Sequence, residues 1–352
     1  MASRRAPIRK GSVNYGNFSS NDFGSQTKKG TKPTAPRATV MDVLIEMAVD
    51  IGKMYLMLKI QYRIAVYLGV LFGVSIIGDV LPYPKSYFSQ SSHFLNQYFV
   101  KLGWGWTLIS TIPFVVMTSY TYCCSDRKQV GFHLLRLGVA TFFWLFWTNM
   151  FQYVEGIYGR CGDAKFTRRA KCLDAGSRWS GFDISGHSFL LIYSVLIMIE
   201  ESKPIQGWPR IQIDLDSEKH ARSLNEKSEK RFFQHLSLDE IKRTEKNFTS
   251  YRRYVCFNFI GVCVLSLIWD LMILTTAMYY HTMLEKFVSG LIAIFTWYVT
   301  YRVWFKVVGF PPVPGAGSFK YYEPKEGSSL GVSASTSGTS PLTTNGVRKG
   351  KK

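Results

Sequence analysis

Apolar and polar residues along the chain fall into alternating blocks. Six mostly apolar blocks, at about 64–81, 102–124, 135–153, 184–199, 255–279 and 287–308, are separated by connections rich in charge, Gly and Pro. Each block approaches the ~20 residues a helix needs to cross a hydrocarbon core. Within the blocks the apolar positions show neither the alternation of a half-buried strand nor the stripe of a surface helix. The pattern therefore predicts an all-α polytopic membrane protein with six transmembrane helices. The fourth block is the shortest and starts at a Gly-containing turn, so its ends are the least sharply drawn.

The polar segments set the remaining organisation. Residues 1–38 hold little to bury and no apolar stretch of signal-peptide kind, which predicts a disordered cytosolic tail and a first span that acts as its own signal. In 39–63, Met41, Leu44, Ile45, Ala48 and Tyr55 share one helical face, while Asp42, Glu46, Asp50 and Lys53 share another. That arrangement fits an amphipathic helix lying on the membrane surface, and equally a helix packed on the bundle. Residues 64–308 form the membrane domain, with a cytosolic loop at 201–253 in which Ser237 and Glu240 make a capping box ahead of a basic helix. Residues 309–352 read as a cytosolic and largely disordered tail, without periodicity beyond about Gly315.

Composition adds charge. The 352 residues include 43 Lys plus Arg and 24 Asp plus Glu, a formal net charge of +19. Such a surplus fits nucleic acid or an anionic membrane, and the apolar blocks decide for the membrane. Of the 43 cations, 33 lie in residues 1–63, 124–130 and 201–253 and in the tail from Arg302. The positive-inside rule puts that side, with both termini, in the cytosol. The sequons at Asn17 and Asn247 fall there and are expected to carry no glycan. One connection breaks the rule. The translocated loop 155–183 holds Arg160, Lys165, Arg168, Arg169, Lys171 and Arg178, which fits either attraction of an anionic substrate or incidental surface charge. Cys161 and Cys172 share that loop and can close a disulfide if it faces an oxidising lumen.

The candidate chemistry lies at the same membrane face. His187, in FDISGHSFLL, starts the fourth span, and His281, in MYYHTMLEKFVSG, follows the fifth. Two imidazoles can divide the roles of nucleophile and general acid. Ser185 is a good N-cap, and Gly186 lets a ligand approach the helix-start amides, a phosphate-sized anion site. Glu285 lies one helical turn after His281 and can orient its ring. A structural role at a helix end remains the alternative for either histidine alone. Asp270 is deeper, ~16 Å along the helix from His281; a contact to a lipid hydroxyl and a hydrogen bond between spans are both open. No metal-ligand cluster accompanies these residues, and no metal or cofactor is expected.

An SGH motif followed by a later histidine with an acid four residues on resembles the lipid phosphate phosphatase superfamily, and implies a core of that kind with a phosphohistidine intermediate. The chain lacks a Lys-rich motif ending in Arg-Pro and a Ser-Arg pair before His281, leaving Lys101 and the basic loop as candidate phosphate-binding cations. A closer resemblance is carried by FLNQYFVKLGWGWT, ATFFWLFWT, GFDISGHSFLL, WDLMILTTAMYYH and FTWYVTYRVW, spread over about 60–310. These stretches are similar to the fat-storage-inducing transmembrane family, in an invertebrate form with extended tails. The resemblance implies a six-span endoplasmic reticulum protein with cytosolic termini and a lumenal site, supporting lipid-droplet formation. The implied activity is an acyl-CoA diphosphatase that yields acyl 4′-phosphopantetheine and adenosine 3′,5′-bisphosphate. His187 and His281 are then the catalytic pair, with Asn96 as a substrate contact or a polar boundary residue. The competing expectation is a non-enzymatic protein that binds triacylglycerol or diacylglycerol and partitions it into droplets. A phosphatase for lipid monoesters is disfavoured by the missing Arg motifs.

Overall fold

The computed structural model describes residues 39–81, 83–84, 86–90, 93–162, 165, 169–177, 179–180, 183–224 and 232–320. The predicted N-terminal tail with Asn17, the chain beyond 320, and Arg168 and Arg178 lie outside the described residues. The elements run α1 (Val40–Leu56), α2 (Ile60–Val80), a 3-10 turn (Tyr87–Ser89), a π-helical turn (Leu95–Val100), α3 (Gly103–Tyr122) and α4 (Arg127–Tyr158). There follow β1 (Arg160–Cys161), α5 (Arg169–Asp174), β2 (Trp179–Ser180), α6 (Gly186–Ser202), α7 (Arg210–Ser223), α8 (Leu238–Tyr279) and α9 (Met283–Trp297), the last running on through a π-helical segment (Tyr298–Trp304). Among the described residues, strand pairing is confined to the two-residue antiparallel contact of β1 with β2.

Four helices, α2, α4, α8 and α9 with its continuation to Val307, are long and apolar enough to cross a membrane. Much of their apolar surface faces outward, including Val66, Phe72, Phe142, Val264 and Phe295. An exterior this apolar suits lipid rather than water. The other two predicted spans are α3 and α6. Helix α3 buries Thr107, Thr111, Thr118, Ser119 and Thr121, several of which return hydroxyl bonds to carbonyls one turn back. Helix α6 has 17 residues and is buried on nearly every side from Ser188 to Ser202. A helix apolar all round belongs in the centre of a bundle. It packs on α3, α8 and α9, while α2 and α3 flank α8. Trp104 of α3 stacks between Trp144 of α4 and Tyr193 of α6, each 5.7 Å away.

Helix α1 packs on the bundle, the second of the two readings offered for its sequence. Ile45, Val49, Gly52 and Leu56 are buried, and a Cβ at Gly52 would come within 2.9 Å of Cys263 Sγ on α8. Arg252 and Arg253 of α8 pair with Glu46 and Asp42 at 2.9 and 3.2 Å. Met41 and Leu44, read as part of the same apolar face, point outward with Met47, Ile51 and Met54. The buried and exposed apolar rows are thus separate. At the α1–α2 junction, Tyr55 and Tyr67 each donate to Asp270 at 2.5 Å, and Arg63 stands 3.4 Å from the same carboxylate. Of the two expectations for Asp270, the structure gives the one with protein partners.

The connections gather at two ends. At one end Arg136 makes a two-pronged pair with the buried Glu201 at 2.6 and 2.7 Å, which Tyr301 completes at 2.7 Å. Arg136 also donates to Pro312 O, and Phe319 packs among Tyr122, Phe232 and Phe233. Residues 309–320, placed by sequence in a disordered tail, are therefore packed in place. The reason is Gly317, where a Cβ would lie 2.5 Å from Tyr122 O, so only glycine lets the strap pass this close. The opposite end receives the connections before α3, between α4 and α6, and between α8 and α9. It contains both candidate histidines.

Candidate active site

A connection of only three residues, Tyr280–Thr282, joins α8 to α9 and carries His281 at its centre. His281 has φ 57°, in the left-handed region. That backbone costs a non-glycine residue about 1–2 kcal/mol, although histidine visits it more readily than most. Its Nδ1 lies 3.6 Å from Asp183 Oδ2 and 3.8 Å from Glu285 Oε2. Glu285, expected to orient the ring, is engaged elsewhere. Its Oε2 accepts the Thr282 N–H at 2.9 Å, capping α9, and its Oε1 accepts the Asp183 N–H at 3.0 Å. The carboxylate thus joins the start of α9 to the segment ahead of α6. Asp183, which sequence reasoning did not single out, is the closer acid and is half exposed.

His187 sits in the first turn of α6. Ser185 caps that helix, its Oγ accepting the Ser188 N–H at 3.3 Å, and its carbonyl accepts the Ser289 hydroxyl at 2.6 Å. The fully buried Ser185 is thereby committed to holding the helix start. Gly186 faces open space, with no atom within 4 Å of where a Cβ would stand. The first amides of α6 lack intrahelical acceptors, and the positive end of its dipole meets that space. His187 Nε2 is 3.1 Å from Asn96 Oδ1, and its ring lies parallel to Tyr280 with centroids 6.4 Å apart. With the Asn96 oxygen as acceptor, Nε2 carries the proton.

Asn96 is brought inward by the π-helical turn, in which the Lys101 N–H reaches back to Asn96 O at 3.1 Å. Such widened turns often occur where a side chain must be re-aimed at a site. Its own N–H donates to Nδ1 of the buried His93 at 3.2 Å, and burial holds that imidazole below its ordinary pKa, as a neutral acceptor. Tyr280 OH donates to Phe88 O at 3.1 Å, closing a chain of contacts from the His281 turn back to the Asn96 turn. Lys101 is exposed and donates to Gln97 at 2.8 Å, while still within electrostatic reach of His187, as is His281. The structure thus brings together His187, His281, Asn96, Gly186 and Glu285. It leaves Lys101 at the margin and gives Ser185 a capping task. His93, Tyr280 and Asp183 join them without having been anticipated; a signal was available for Asp183, two residues ahead of the Ser185 cap in the same GFDISGH stretch.

In the connection between α4 and α6, Cys161 and Cys172 are joined by a disulfide with Cα atoms 5.8 Å apart. The β1–β2 contact and α5 belong to the same small unit, and β2 ends three residues before Asp183. Arg160 and Lys171 are exposed on it. Chemically, the arrangement offers one imidazole whose Nδ1 faces two acids and whose Nε2 has no partner among the described residues, a second imidazole fixed by an amide, and an open helix start for an anion.

Comparison with known proteins gives this geometry a lineage. The pattern of the fat storage-inducing transmembrane protein family matches residues 84–161 and 161–301, which include every residue of the cluster. The chain is 40% identical over 335 residues to the acyl-coenzyme A diphosphatase FITM2 of Drosophila melanogaster, covering 91% of this chain and 79% of that protein. It is 31% identical over 256 residues to the protein of the same name in Xenopus laevis, covering 71% and 84%. With the Homo sapiens protein of that name it shares 28% over 248 residues, covering 68% and 81%. No solved structure matches the chain. From the two matched segments and the length of these alignments, the chain belongs to the fat storage-inducing transmembrane protein family.

Proposed function

We propose that this protein is an acyl-coenzyme A diphosphatase that hydrolyses the phosphoanhydride of fatty acyl-CoA to acyl 4′-phosphopantetheine and adenosine 3′,5′-bisphosphate. The observation that carries the reading is that His187, in the first turn of α6, and His281, in the turn between α8 and α9, lie within electrostatic reach of one another beside the open start of α6. His281 Nε2 attacks one phosphorus of the anhydride, forming an N–P bond as the bridging P–O bond breaks. His187, its Nε2–H fixed by Asn96, takes up a proton on Nδ1 from solvent before attack and gives that proton to the departing phosphate oxygen. Water then attacks the phosphohistidine, His187 takes the water's proton back, and His281 leaves as the free base. Asp183, with Glu285 behind it, holds the Nδ1 side of His281 and steadies the cation that forms during transfer. Amides at the start of α6 receive phosphoryl oxygens.

The chain crosses the endoplasmic reticulum membrane six times with both termini cytosolic and the site toward the lumen. The Lys and Arg distribution supports this orientation, as does a disulfide in the connection beside the site, since such bonds persist in oxidising compartments. An acyl tail remains in the bilayer while the nucleotide head meets Arg160 and Lys171. Triacylglycerol and diacylglycerol are the lipids whose storage this reaction supports.

The test is hydrolysis of oleoyl-CoA by purified protein, with products identified by mass, for wild type, His187→Ala and His281→Ala. Losses of about 10² to 10⁴-fold or more in both variants are expected. An inactive wild type, or unaffected variants, would replace this reading with non-enzymatic lipid partitioning.

A further inference from the structure

Lys286, in the first turn of α9, is only 1% exposed. A lysine this buried within a membrane bundle is costly to keep and calls for a specific partner. Its Nζ donates to Ala277 O of α8 at 2.7 Å, and Ser75 Oγ of α2 donates to the same carbonyl at 3.2 Å. The position of that carbonyl is informative. The last helical bond of α8 runs from Tyr280 N–H to Thr276 O. Next in register would come His281 N–H to Ala277 O, and there the chain leaves the helix as His281 turns to φ 57°. A buried carbonyl that loses its helical donor must find another. It finds two, from two neighbouring helices.

We propose that Lys286 and Ser75 together cap α8 in place of the His281 amide, and that this borrowed cap positions the His281 imidazole for reaction. Without it, Ala277 O recovers satisfaction only by taking back the His281 N–H. That extends α8 by one residue and swings the imidazole by ~100° about the helix axis, away from Asp183. Asp79 and Glu285 lie within electrostatic reach of the lysine and balance its charge. Asp79 also accepts the Met283 N–H at 2.9 Å, fixing the other side of the same turn. Lys286 is therefore a positioning residue and does not contact substrate. This inference rests on His281 as nucleophile.

The experiment uses the full chain in lipid nanodiscs as wild type, Lys286→Met, Lys286→Gln and Ser75→Ala. It measures kcat and KM for oleoyl-CoA together with amide hydrogen exchange of residues 278–283. Met keeps the length and removes the donor, whereas Gln keeps a donor. Lys286→Met is expected to lower kcat roughly 10- to 100-fold with KM within about threefold of wild type. Exchange at the His281 turn should change, Gln should retain more activity than Met, and Ser75→Ala should show a smaller loss of the same kind. If Lys286→Met does not fold, the Gln and Ser75 variants carry the comparison. A kcat within about threefold of wild type, a loss confined to KM, or unchanged exchange at the turn overturns the proposal. If wild type does not hydrolyse oleoyl-CoA yet exchange at the turn responds to Lys286→Met, the enzymatic reading falls and the cap stands.

Discussion

Asp183 and His281 stand 98 positions apart in the chain, yet Asp183 Oδ2 lies 3.6 Å from His281 Nδ1. Glu285, four residues from the histidine, is 3.8 Å away, with both its oxygens receiving backbone N–H groups. An acid committed to two amides has little freedom to follow an imidazole through a reaction. Asp183, half exposed and without such ties on its carboxylate among the described contacts, has that freedom. Asp183→Asn should therefore lower kcat about 10- to 100-fold, while Glu285→Gln, which can still cap α9, should stay within about fivefold. Steady-state kinetics on oleoyl-CoA decides, and the reverse order would return the orienting role to Glu285.

Asn96 should act through His187. Removing a hydrogen bond to a group that carries charge in the reaction is worth about 1.5–3 kcal/mol. Asn96→Ala should thus cost on the order of tenfold or more in kcat. A change in KM alone would mean that Asn96 binds substrate and does not fix the ring.

Hydrolysis should proceed unchanged after EDTA treatment. The proposed chemistry places the charge of the transferring phosphoryl group on imidazoles and helix amides, with no Lewis acid. Loss of activity in chelator, with recovery on adding a divalent cation, would sink the phosphohistidine route.

Orientation has two readouts. Asn247 donates through its amide to Tyr120 O and Ser125 Oγ at 3.2 and 2.8 Å, and it lies at the end opposite the histidines. Mass spectrometry should find it without glycan, and a sequon introduced between Cys161 and Cys172 should be glycosylated on expression in microsomes. Thiol labelling should reach those two cysteines only after reduction, and Cys161→Ser should destabilise by about 3 kcal/mol, the scale for a loop of this length. Glycan on Asn247 would invert the topology.

The Asp270 cluster predicts a stability phenotype. Asp270→Leu leaves the buried Arg63 charge without its carboxylate, a loss of about 3–5 kcal/mol. Adding Arg63→Met should recover part of it, as read from thermal unfolding in detergent. Additive losses would show that the pair is not coupled.

The periodicity of the chain exposed the membrane helices because hydrocarbon demands long unbroken apolar runs. It did not expose their true lengths. Helix α8 reads as a basic helix followed by a separate span, but no Pro interrupts Leu238–Tyr279 and the two are one helix of 42 residues. His187, His281 and Asn96 were legible because each is a polar residue at the edge of an apolar block. Asp183 was not, since its meeting with His281 depends on where α6 and α9 pack. Lys286 was hidden differently: a lysine at the start of a span reads as an interfacial anchor, and its burial follows only from the neighbours. The strap at 309–320 escaped notice because its small residues serve close packing and leave no period.

That uninterrupted α8 also fixes the scale of the molecule. Its 42 residues make a rod of ~63 Å, about twice the ~30 Å hydrocarbon thickness of a bilayer. Arg252 and Arg253, gripped by α1, lie about a third of the way along it, and its C-terminus meets the His281 turn. With no break in the helix between them, the depth of His281 is referenced to the far leaflet, so on the proposed reading a thinner or thicker bilayer displaces it relative to the headgroups. The helix is in effect a ruler laid across the membrane, and turnover should depend on acyl-chain length of the host lipid as well as that of the substrate.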